Sequence, residues 1–219
     1  MTIDTDDLLN SILASIDRIH NVKSDEMPNI DLYMDQVTTF MEEKLKHATR
    51  NPEEDKVLTK TMINNYAKND LLPPPVNKKY TKEHLAVLIF IFYSKGIMSI
   101  QDIQNMLTPL TERYFDNKDG MNLCQIYDEV FSLEKERASD IKKDIADKYA
   151  KAKDTFKDVS EDDQEILQLF SFIFMLGYDV YTKQLLIEKL LDGYSKLNKK
   201  EESIKKAKKD KAAKGKNKE

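Results

Sequence analysis

Several residue types are scarce in this sequence, and each scarcity excludes a class of protein. The 219 residues include one cysteine, Cys124, so the chain cannot hold an internal disulfide framework. Only five glycines are present and tryptophan is absent, whereas Leu, Ile, Lys, Glu, Asp and Met are abundant. Because most of the abundant residues favour helices, the composition predicts a mostly helical protein.

Long apolar runs are also missing. The longest are residues 85–93 and 166–176, and both are shorter than the ~20 residues that a membrane span requires. The first ten residues are acidic and lack the positive start and apolar stretch of a signal peptide. We therefore expect a cytoplasmic protein with no membrane partner.

The sequence lacks the motifs of common enzymes and metal sites. None of the phosphate-binding loop, dinucleotide-binding and zinc-protease signatures occurs. The three histidines, His20, His47 and His84, are scattered, and the single cysteine completes no zinc site with them. Residues 116–120 are similar to a calcium-binding turn, but Ile126 stands where that loop requires Glu. We expect neither catalysis nor a metal or other cofactor.

Charge is distributed unevenly, although the net charge is only −4. Residues 1–49 hold four basic and ten acidic side chains, and residues 196–219 hold 11 lysines and four acids. Between them, residues 50–82 hold seven basic and four acidic side chains, a net charge of +3. Because attraction to phosphate depends on local charge, this segment is a candidate for contact with nucleic acid.

Apolar spacing, caps and prolines predict the elements of the first half. Thr59 stands at an N-cap position, Thr81 with His84 opens an intensely apolar helix, and Ser99 with Asp102 caps another. The three prolines at residues 73–75 fix an extended connector. The predicted helices span residues 1–22, 31–46, 59–69, 81–95 and 99–107.

Further helices are predicted after Pro109, over residues 121–133, 134–157, 160–176 and 181–197. Residues 166–176 are apolar almost all round, which predicts the centre of a C-terminal core. The lysine-rich end has few apolar residues, and we expect it to be disordered. The chain is thus divided into an N-terminal helix and linker (1–30), a helical region (31–109), a C-terminal helical region (110–197) and a tail (198–219).

Residues 58–107 contain an ordered series of short motifs. In chain order these are Thr59, Ile63 and Tyr66, Leu71-Leu72-Pro73, Lys78-Lys79-Tyr80, the apolar run from Leu85 to Ile91, and Met98-Ser99-Ile100 with Ile103. This order resembles the DNA-binding domain of the MerR-type regulators. The longer stretch from Asp31 is also similar to an uncharacterised bacterial family that contains such a domain. The resemblance implies an all-α protein with a winged helix-turn-helix over residues 31–109 and a C-terminal helical bundle.

The resemblance also implies which residues would contact DNA. Polar side chains of the 59–69 helix would face the major groove, where Asn pairs with adenine, Thr meets a thymine methyl and Lys reaches phosphate. Lysines of the wing would hold the backbone, as in the resembled family. The predicted contact set is Thr59, Thr61, Asn64, Asn65, Lys68, Lys78, Lys79 and Tyr80. Two positions differ from the family pattern, with Asn64 where Arg is usual and Asn77 where Gly is usual.

The leading hypothesis is a DNA-binding transcription regulator. Helix-turn-helix proteins commonly match two half-sites, so we expect a homodimer joined through the C-terminal helices. A small-molecule effector is left open. The alternative is a helical protein-interaction module that keeps the winged fold without specific DNA binding, in which the polar helix is an ordinary solvated surface.

Overall fold

A computed structural model describes residues 5–16 and 22–216 of the chain, and helices dominate it. The elements are α1 (Thr5–Ile16), β1 (Leu32–Tyr33), α2 (Met34–Leu45), α3 (Lys60–Lys68), β2 (Lys79–Tyr80), α4 (Lys82–Ser94), α5 (Ile100–Tyr114), α6 (Leu123–Lys153) and α7 (Glu161–Lys216). Short 3₁₀ turns cover Ser24–Glu26 and Lys46–Ala48. The predicted mostly helical class is confirmed. The predicted continuation of the first helix through Ile19 and His20 falls on residues 17–21, which lie outside the described residues, and Val22 itself is not helical.

Helix α4 is the centre of the main core. The residues from His84 to Ile89 and Ile91 are all buried, because other elements cover this helix on every side. Helices α2, α5 and α6 and strand β2 all contact it. The sequence predicted this helix from its capping pair and its apolar run, and both features are confirmed.

The main core extends beyond the predicted 31–109 region at both ends. It includes Val22 and Met27 before that region, and Leu123 and Tyr127 of α6 after it. The hydroxyl of the fully buried Tyr127 donates a hydrogen bond to the carbonyl of Val22, which links the two ends directly. Residues 22–30 and the first turns of α6 therefore pack as part of the same unit.

Several predicted helix boundaries differ from the structure. Helix α5 continues through Pro109 to Tyr114, because Ile103 and Leu107 hold one face in the core and the proline removes a single backbone donor. The predicted break at residues 133–134 is absent, so α6 is one helix of 31 residues. Strand β1 occupies the predicted start of the 31–46 helix, which begins at Met34.

Helix α7 joins three segments that the sequence predicted to be separate. It runs through Gly177 without interruption and continues to Lys216, across the segment predicted to be a disordered tail. A helical glycine costs only about 1 kcal/mol relative to alanine, which the packing of α7 on α5 and α6 can offset. An ion pair from Lys148 of α6 to Asp179 of α7, 2.9 Å long, holds the helix just beyond Gly177.

The prediction that residues 166–176 form the centre of a C-terminal core is wrong. Phe172 is buried, but Ile166, Phe170 and Phe174 lie largely in solvent. The reason is that α5 and α6 cover α7 on one side only. None of the described helices combines the length and the apolar character needed to cross a membrane.

Candidate nucleic-acid interface

The start of α3 is fixed by contacts to two neighbouring helices. The backbone N–H of Val57 donates to Oε2 of Glu42 on α2 at 3.3 Å, and the Val57 carbonyl accepts from Nζ of Lys95, the residue that follows α4, at 2.7 Å. Burial lowers the pKa of Lys95 below its usual value. The predicted cap is confirmed, since Oγ1 of Thr59 accepts from the N–H of Met62 at 3.2 Å.

The end of α3 is equally well defined. The carbonyl of Tyr66 accepts from the N–H groups of Leu71 and Leu72, at 2.9 and 3.2 Å. Asp70, which directly precedes Leu71, adopts a left-handed conformation with φ of 54°, as is common just past a helix C-terminus. Nε2 of Gln104 on α5 donates to the Asn69 carbonyl at 2.9 Å. Helix α3 is therefore a short rigid element held at both ends.

One face of α3 is polar and open to solvent. Ile63 and Tyr66 turn into the core, whereas the predicted Thr61, Asn64, Asn65 and Lys68 are all exposed. These four positions are spaced i, i+3, i+4 and i+7, which places them on one side of the helix. No acidic residue occurs in Lys60–Lys68, so this face carries amides, a hydroxyl and positive charge.

A tight hairpin over residues 76–80 lies at the position of the predicted wing. Val76 pairs with Lys79, and the two residues between them, Asn77 and Lys78, have φ values of 52° and 61°. Two consecutive positive φ angles define a type I′ turn, for which Asn is a favoured first residue because it tolerates this conformation. The turn leaves the side chain of Lys78 exposed at the tip of the 76–80 hairpin.

The 76–80 hairpin is attached to the segment that precedes α2. Strand β2 pairs antiparallel with β1, with Leu32 opposite Tyr80 and Tyr33 opposite Lys79. The ammonium group of Lys79 lies over the Tyr33 ring, 5.5 Å from its centre. Because α2 follows β1 directly and also contacts α3, this pairing holds the hairpin, α2 and α3 in one unit.

His84 packs against the buried side of the 76–80 hairpin. Its imidazole is 1% exposed and meets the rings of Tyr80 and Phe115 edge-on, at 5.4 and 4.7 Å. Nδ1 accepts a hydrogen bond from the N–H of Thr81 at 2.9 Å, so the neutral ring carries its proton on Nε2. Burial lowers the pKa of His84 to about 4, although the nearby carbonyls of Pro73 and Pro74 partly oppose this shift. Nε2 itself makes no hydrogen bond of normal geometry.

Three of the predicted contact residues have other roles in the structure. Thr59 is half-buried and its hydroxyl caps α3. Lys79 is half-buried beside Tyr33. Tyr80 is 3% exposed and packs in the core, so its side chain cannot reach a ligand, and we do not retain it in the interface.

Two exposed residues of this surface were missed by the sequence reasoning. Lys60, the first residue of α3, forms an ion pair with Asp35 at the start of α2. Tyr33 lies beside Lys79 on the outer face of the sheet and is 54% exposed. The charge and position of Lys60 were available from the sequence, whereas Tyr33 joins the surface only through a pairing with residues far along the chain.

A metal site and a reactive thiol each place requirements on the side chains around this surface. In the part of the chain that the structure describes, no group of three or more His, Cys, Asp or Glu side chains is placed to bind a metal ion. Cys124 is half-buried on α6, and burial raises the pKa of its thiol to about 11. Such a thiol is protonated and weakly nucleophilic at neutral pH.

The family comparison matches the unit that the main core defines. Residues 22–131 match the family described as a domain of unknown function, DUF1836. The chain belongs to this family. The DUF1836 region begins at Val22, the first residue of the main core, and ends at Phe131, whose ring lies 4.5 Å from that of Tyr127. Comparison with curated proteins and with solved structures found no match.

The match includes α3 and the 76–80 hairpin but gives neither of them a role. The winged helix-turn-helix assignment and the DNA contacts therefore stay predictions. Most of α6 and all of α7 lie beyond the DUF1836 region.

Proposed function

We propose that the DUF1836 region of this protein binds duplex DNA and serves as the reading domain of a transcription regulator. The observation that carries the proposal is the polar, acid-free face of α3 beside a hairpin with an exposed lysine at its tip. B-DNA admits an α-helix in its major groove, and Asn, Thr and Lys are residue types that contact bases and phosphates there. The proposal describes binding and involves no catalysis.

The proposed contacts follow from exposure and side-chain chemistry. Asn64 and Asn65 would read base edges, and Thr61 would meet a base methyl group or a phosphate. Lys68 at the end of α3 and Lys78 at the hairpin tip would each neutralise a backbone phosphate. These five side chains are all exposed, so binding requires no rearrangement of the core.

The attachment of the hairpin supports a winged arrangement of these elements. The β1–β2 pairing connects the hairpin to α2, and α2 contacts α3. In a helix-turn-helix the first helix supports the reading helix, and α2 is the element in position to do this. The segment that separates α2 from α3 lies over α2 and α4, where Val57 and Leu58 are buried.

The salt dependence of DNA binding tests the proposal. The full chain is titrated onto random genomic fragments at increasing salt, and its affinity should fall steeply because phosphate contacts release counterions. The double variant Lys68→Ala, Lys78→Ala should reduce the slope of log affinity against log salt by about one unit for each phosphate that is no longer neutralised. A matched control is Lys143→Ala, Lys151→Ala, which removes two exposed lysines of α6 and should keep the wild-type slope. Absence of binding at low salt would refute the proposal.

Base reading is tested separately by selection from a random DNA pool. The wild-type chain should enrich a defined sequence, and Asn64→Ala and Asn65→Ala should each change the preferred base at one position. We expect a loss of discrimination of ~1–3 kcal/mol for each base that is no longer read. If both variants select the same sequence as the wild type, α3 does not read bases.

A second candidate function, protein recognition, is favoured by the outer face of the small sheet. Direct antiparallel partners share a face, so Val76, Lys79 and Tyr33 form a row across it. Val76 is 71% exposed and Tyr33 is 54% exposed, and exposed apolar and aromatic side chains are typical of protein interfaces. In this alternative the hairpin would dock a partner protein.

One double variant distinguishes the two functions. Tyr33→Ser, Val76→Ser removes the apolar part of this row and leaves the α3 face and Lys78 intact. DNA affinity within twofold of wild type is expected if α3 and the lysines carry binding. Protein recognition predicts instead that wild type shows no DNA affinity and that the variant fails to bind a partner captured by the wild-type chain.

A further inference from the structure

Helix α7 carries an apolar stripe that nothing in the described structure covers. Its members are between 60% and 68% exposed, and we call them the α7 stripe: Ile166, Phe170, Ile173, Phe174 and Tyr181. Ile173 and Phe174 each lie three or four residues after Phe170, and Tyr181 lies seven residues after Phe174, which places the members along one side of the helix. The exposed side chains of Tyr178, Val180 and Leu185 lie at its margins.

The opposite side of α7 fixes the direction in which the stripe points. Phe172 is buried, and its ring meets that of Tyr149 on α6 edge-on at 5.3 Å. The buried Gln168 donates from Nε2 to the carbonyls of Lys153 and Thr155, at 2.8 and 3.0 Å. Because these contacts orient the helix, the stripe cannot turn inward without breaking them.

The stripe and its margins together form a larger apolar patch than monomers usually leave open. Large apolar side chains each offer ~150–250 Å², so the exposed fractions of the stripe and its margins amount to roughly 900 Å². Contiguous exposed patches on monomers are commonly limited to ~300–600 Å². A stable protein interface covers ~800 Å² on each partner, so the stripe and its margins together are large enough for one.

Gly177 lies in the middle of the stripe. The series 166, 170, 173, 177 and 181 advances by steps of three or four, so Gly177 shares the face of its neighbours. A Cβ added there would have no atom of the described structure within 4 Å, so no described contact requires glycine at this position. A glycine within an apolar row forms a shallow seat into which a partner's side chain can fit.

We propose that the α7 stripe is covered by the α7 stripe of a second copy of this chain, with the two helices antiparallel. A two-fold axis between Phe174 and Gly177 would set Phe174 into the seat formed by the partner subunit's Gly177. The same axis would set the partner subunit's Phe174 into the seat formed by Gly177. The same axis brings Phe170 opposite the partner subunit's Tyr181 and Ile166 opposite the partner subunit's Leu185. Each contact is then made twice, as a self-complementary interface requires.

Charge distribution favours the antiparallel orientation. Residues 161–165 contain four acidic side chains, whereas residues 196–219 contain 11 lysines and four acids. A parallel pair would bring the acidic starts together and the lysine-rich ends together, and both contacts would be repulsive. An antiparallel pair separates them and also opposes the two helix dipoles.

Charge also argues that the occupant is protein and not a membrane surface. Residues 158–182 contain six acidic side chains and no lysine or arginine. Helices that bind anionic membrane surfaces carry Lys and Arg beside their apolar face, and here the flanks have the opposite sign. The proposed dimer does not rest on DNA binding, and its tests contain no DNA.

Sedimentation of the full chain with a matched pair of variants tests the interface. The wild type should shift from monomer to dimer as its concentration rises. Gly177→Leu fills the proposed seat and should weaken dimerisation at least tenfold. Gly193→Leu changes another exposed glycine of α7 that also has open space around it but lies off the stripe, and it should leave dimerisation unchanged. Both variants should keep the wild-type helical circular dichroism signal.

A distance measurement between two copies tests the orientation. In a Cys124→Ser background, Glu161→Cys places one spin label at the start of each α7. With the axis between Phe174 and Gly177, antiparallel helices separate the labels by about 45 Å, whereas parallel helices hold them about 10 Å apart.

The outcomes that would overturn the proposal are distinct. A chain that stays monomeric at every concentration has no such interface. A dimer insensitive to Gly177→Leu uses another surface, and a label separation of about 10 Å excludes the antiparallel arrangement. Monomer that binds vesicles with an anionic lipid content, and no longer binds them with Phe174→Ser, would assign the stripe to a membrane.

Discussion

Acidification should destabilise the DUF1836 region through His84. The imidazole is buried against the aromatic rings of Tyr80 and Phe115, and burial lowers its pKa from 6.5 to about 4. Well above pH 6.5 the ring is neutral in both the folded and the unfolded chain, so the pH has no effect on stability through His84 there. Between pH 6.5 and 4 the unfolded chain binds a proton that the folded chain excludes, and the free energy of unfolding falls.

The size of the effect follows from the pKa difference. One pKa unit corresponds to ~1.4 kcal/mol, so the full shift is worth about 3 kcal/mol, lost progressively as the pH falls through this range. That loss is a large fraction of the ~5–15 kcal/mol by which domains of this size are stable. Because His84 packs beneath Tyr80, the 76–80 hairpin should loosen before the rest of the core.

Urea unfolding of the full chain from about pH 7.5 to about pH 4 measures this loss. Carboxylates titrate in the same range, so a variant without the imidazole is required. His84→Gln keeps a side-chain acceptor at the third position of the cap that Thr81 begins, and should lower stability at neutral pH but flatten the pH dependence by about 3 kcal/mol. His47→Gln removes an exposed imidazole and is the matched control for the substitution itself. Equal slopes for wild type and His84→Gln, or an NMR titration of His84 with a midpoint near 6.5, would refute the reasoning.

Three further predictions concern the hairpin, the main core and the single thiol. Lys78→Gly should raise the free energy of unfolding by about 1 kcal/mol, because glycine adopts the positive φ angle of this position without strain. The same substitution should weaken DNA binding, because it removes the lysine. A loss of stability in urea unfolding would contradict the type I′ turn. Tyr127→Phe should lower stability by ~1–3 kcal/mol, because the carbonyl of Val22 loses its buried donor, and an unchanged unfolding midpoint would exclude this. Cys124 should react slowly with a chromogenic disulfide reagent at mildly alkaline pH and rapidly in urea, because burial in the folded chain raises the pKa of its thiol to about 11. Equal rates in both conditions would show that the thiol is accessible in the folded chain.

Much of the local structure was predictable from the sequence. The caps at Thr59, Thr81 and Ser99 each accept or exchange hydrogen bonds within three residues, so the residue types alone indicate where these helices begin. The polar face of α3 and the buried character of α4 follow from apolar spacing. Helix ends were less predictable, because packing carries α5 past Pro109 and α7 past Gly177.

The candidate interface was predictable only in part. Thr61, Asn64, Asn65, Lys68 and Lys78 are exposed, as reading and wing residues must be. Tyr80 was predicted to contact DNA but is buried, whereas Tyr33 was not predicted and lies on the surface. Adjacent residues of a strand face opposite sides of the sheet, so the register of β1 against β2 decides which tyrosine is exposed. That register could not be predicted from local sequence, because the two strands are far apart in the chain.

The sequence by itself determined the helical class, the caps, the local positive charge and the polar side of α3, because each depends on residues within a few positions of one another. Only the tertiary structure decided that residues 22–30 and the first turns of α6 complete the main core, that Tyr33 lies beside Lys79, and that the apolar residues of α7 remain in solvent. Burial depends on which distant element covers a face. An apolar stripe has the same sequence pattern whether the neighbour that covers it belongs to its own chain or to another molecule.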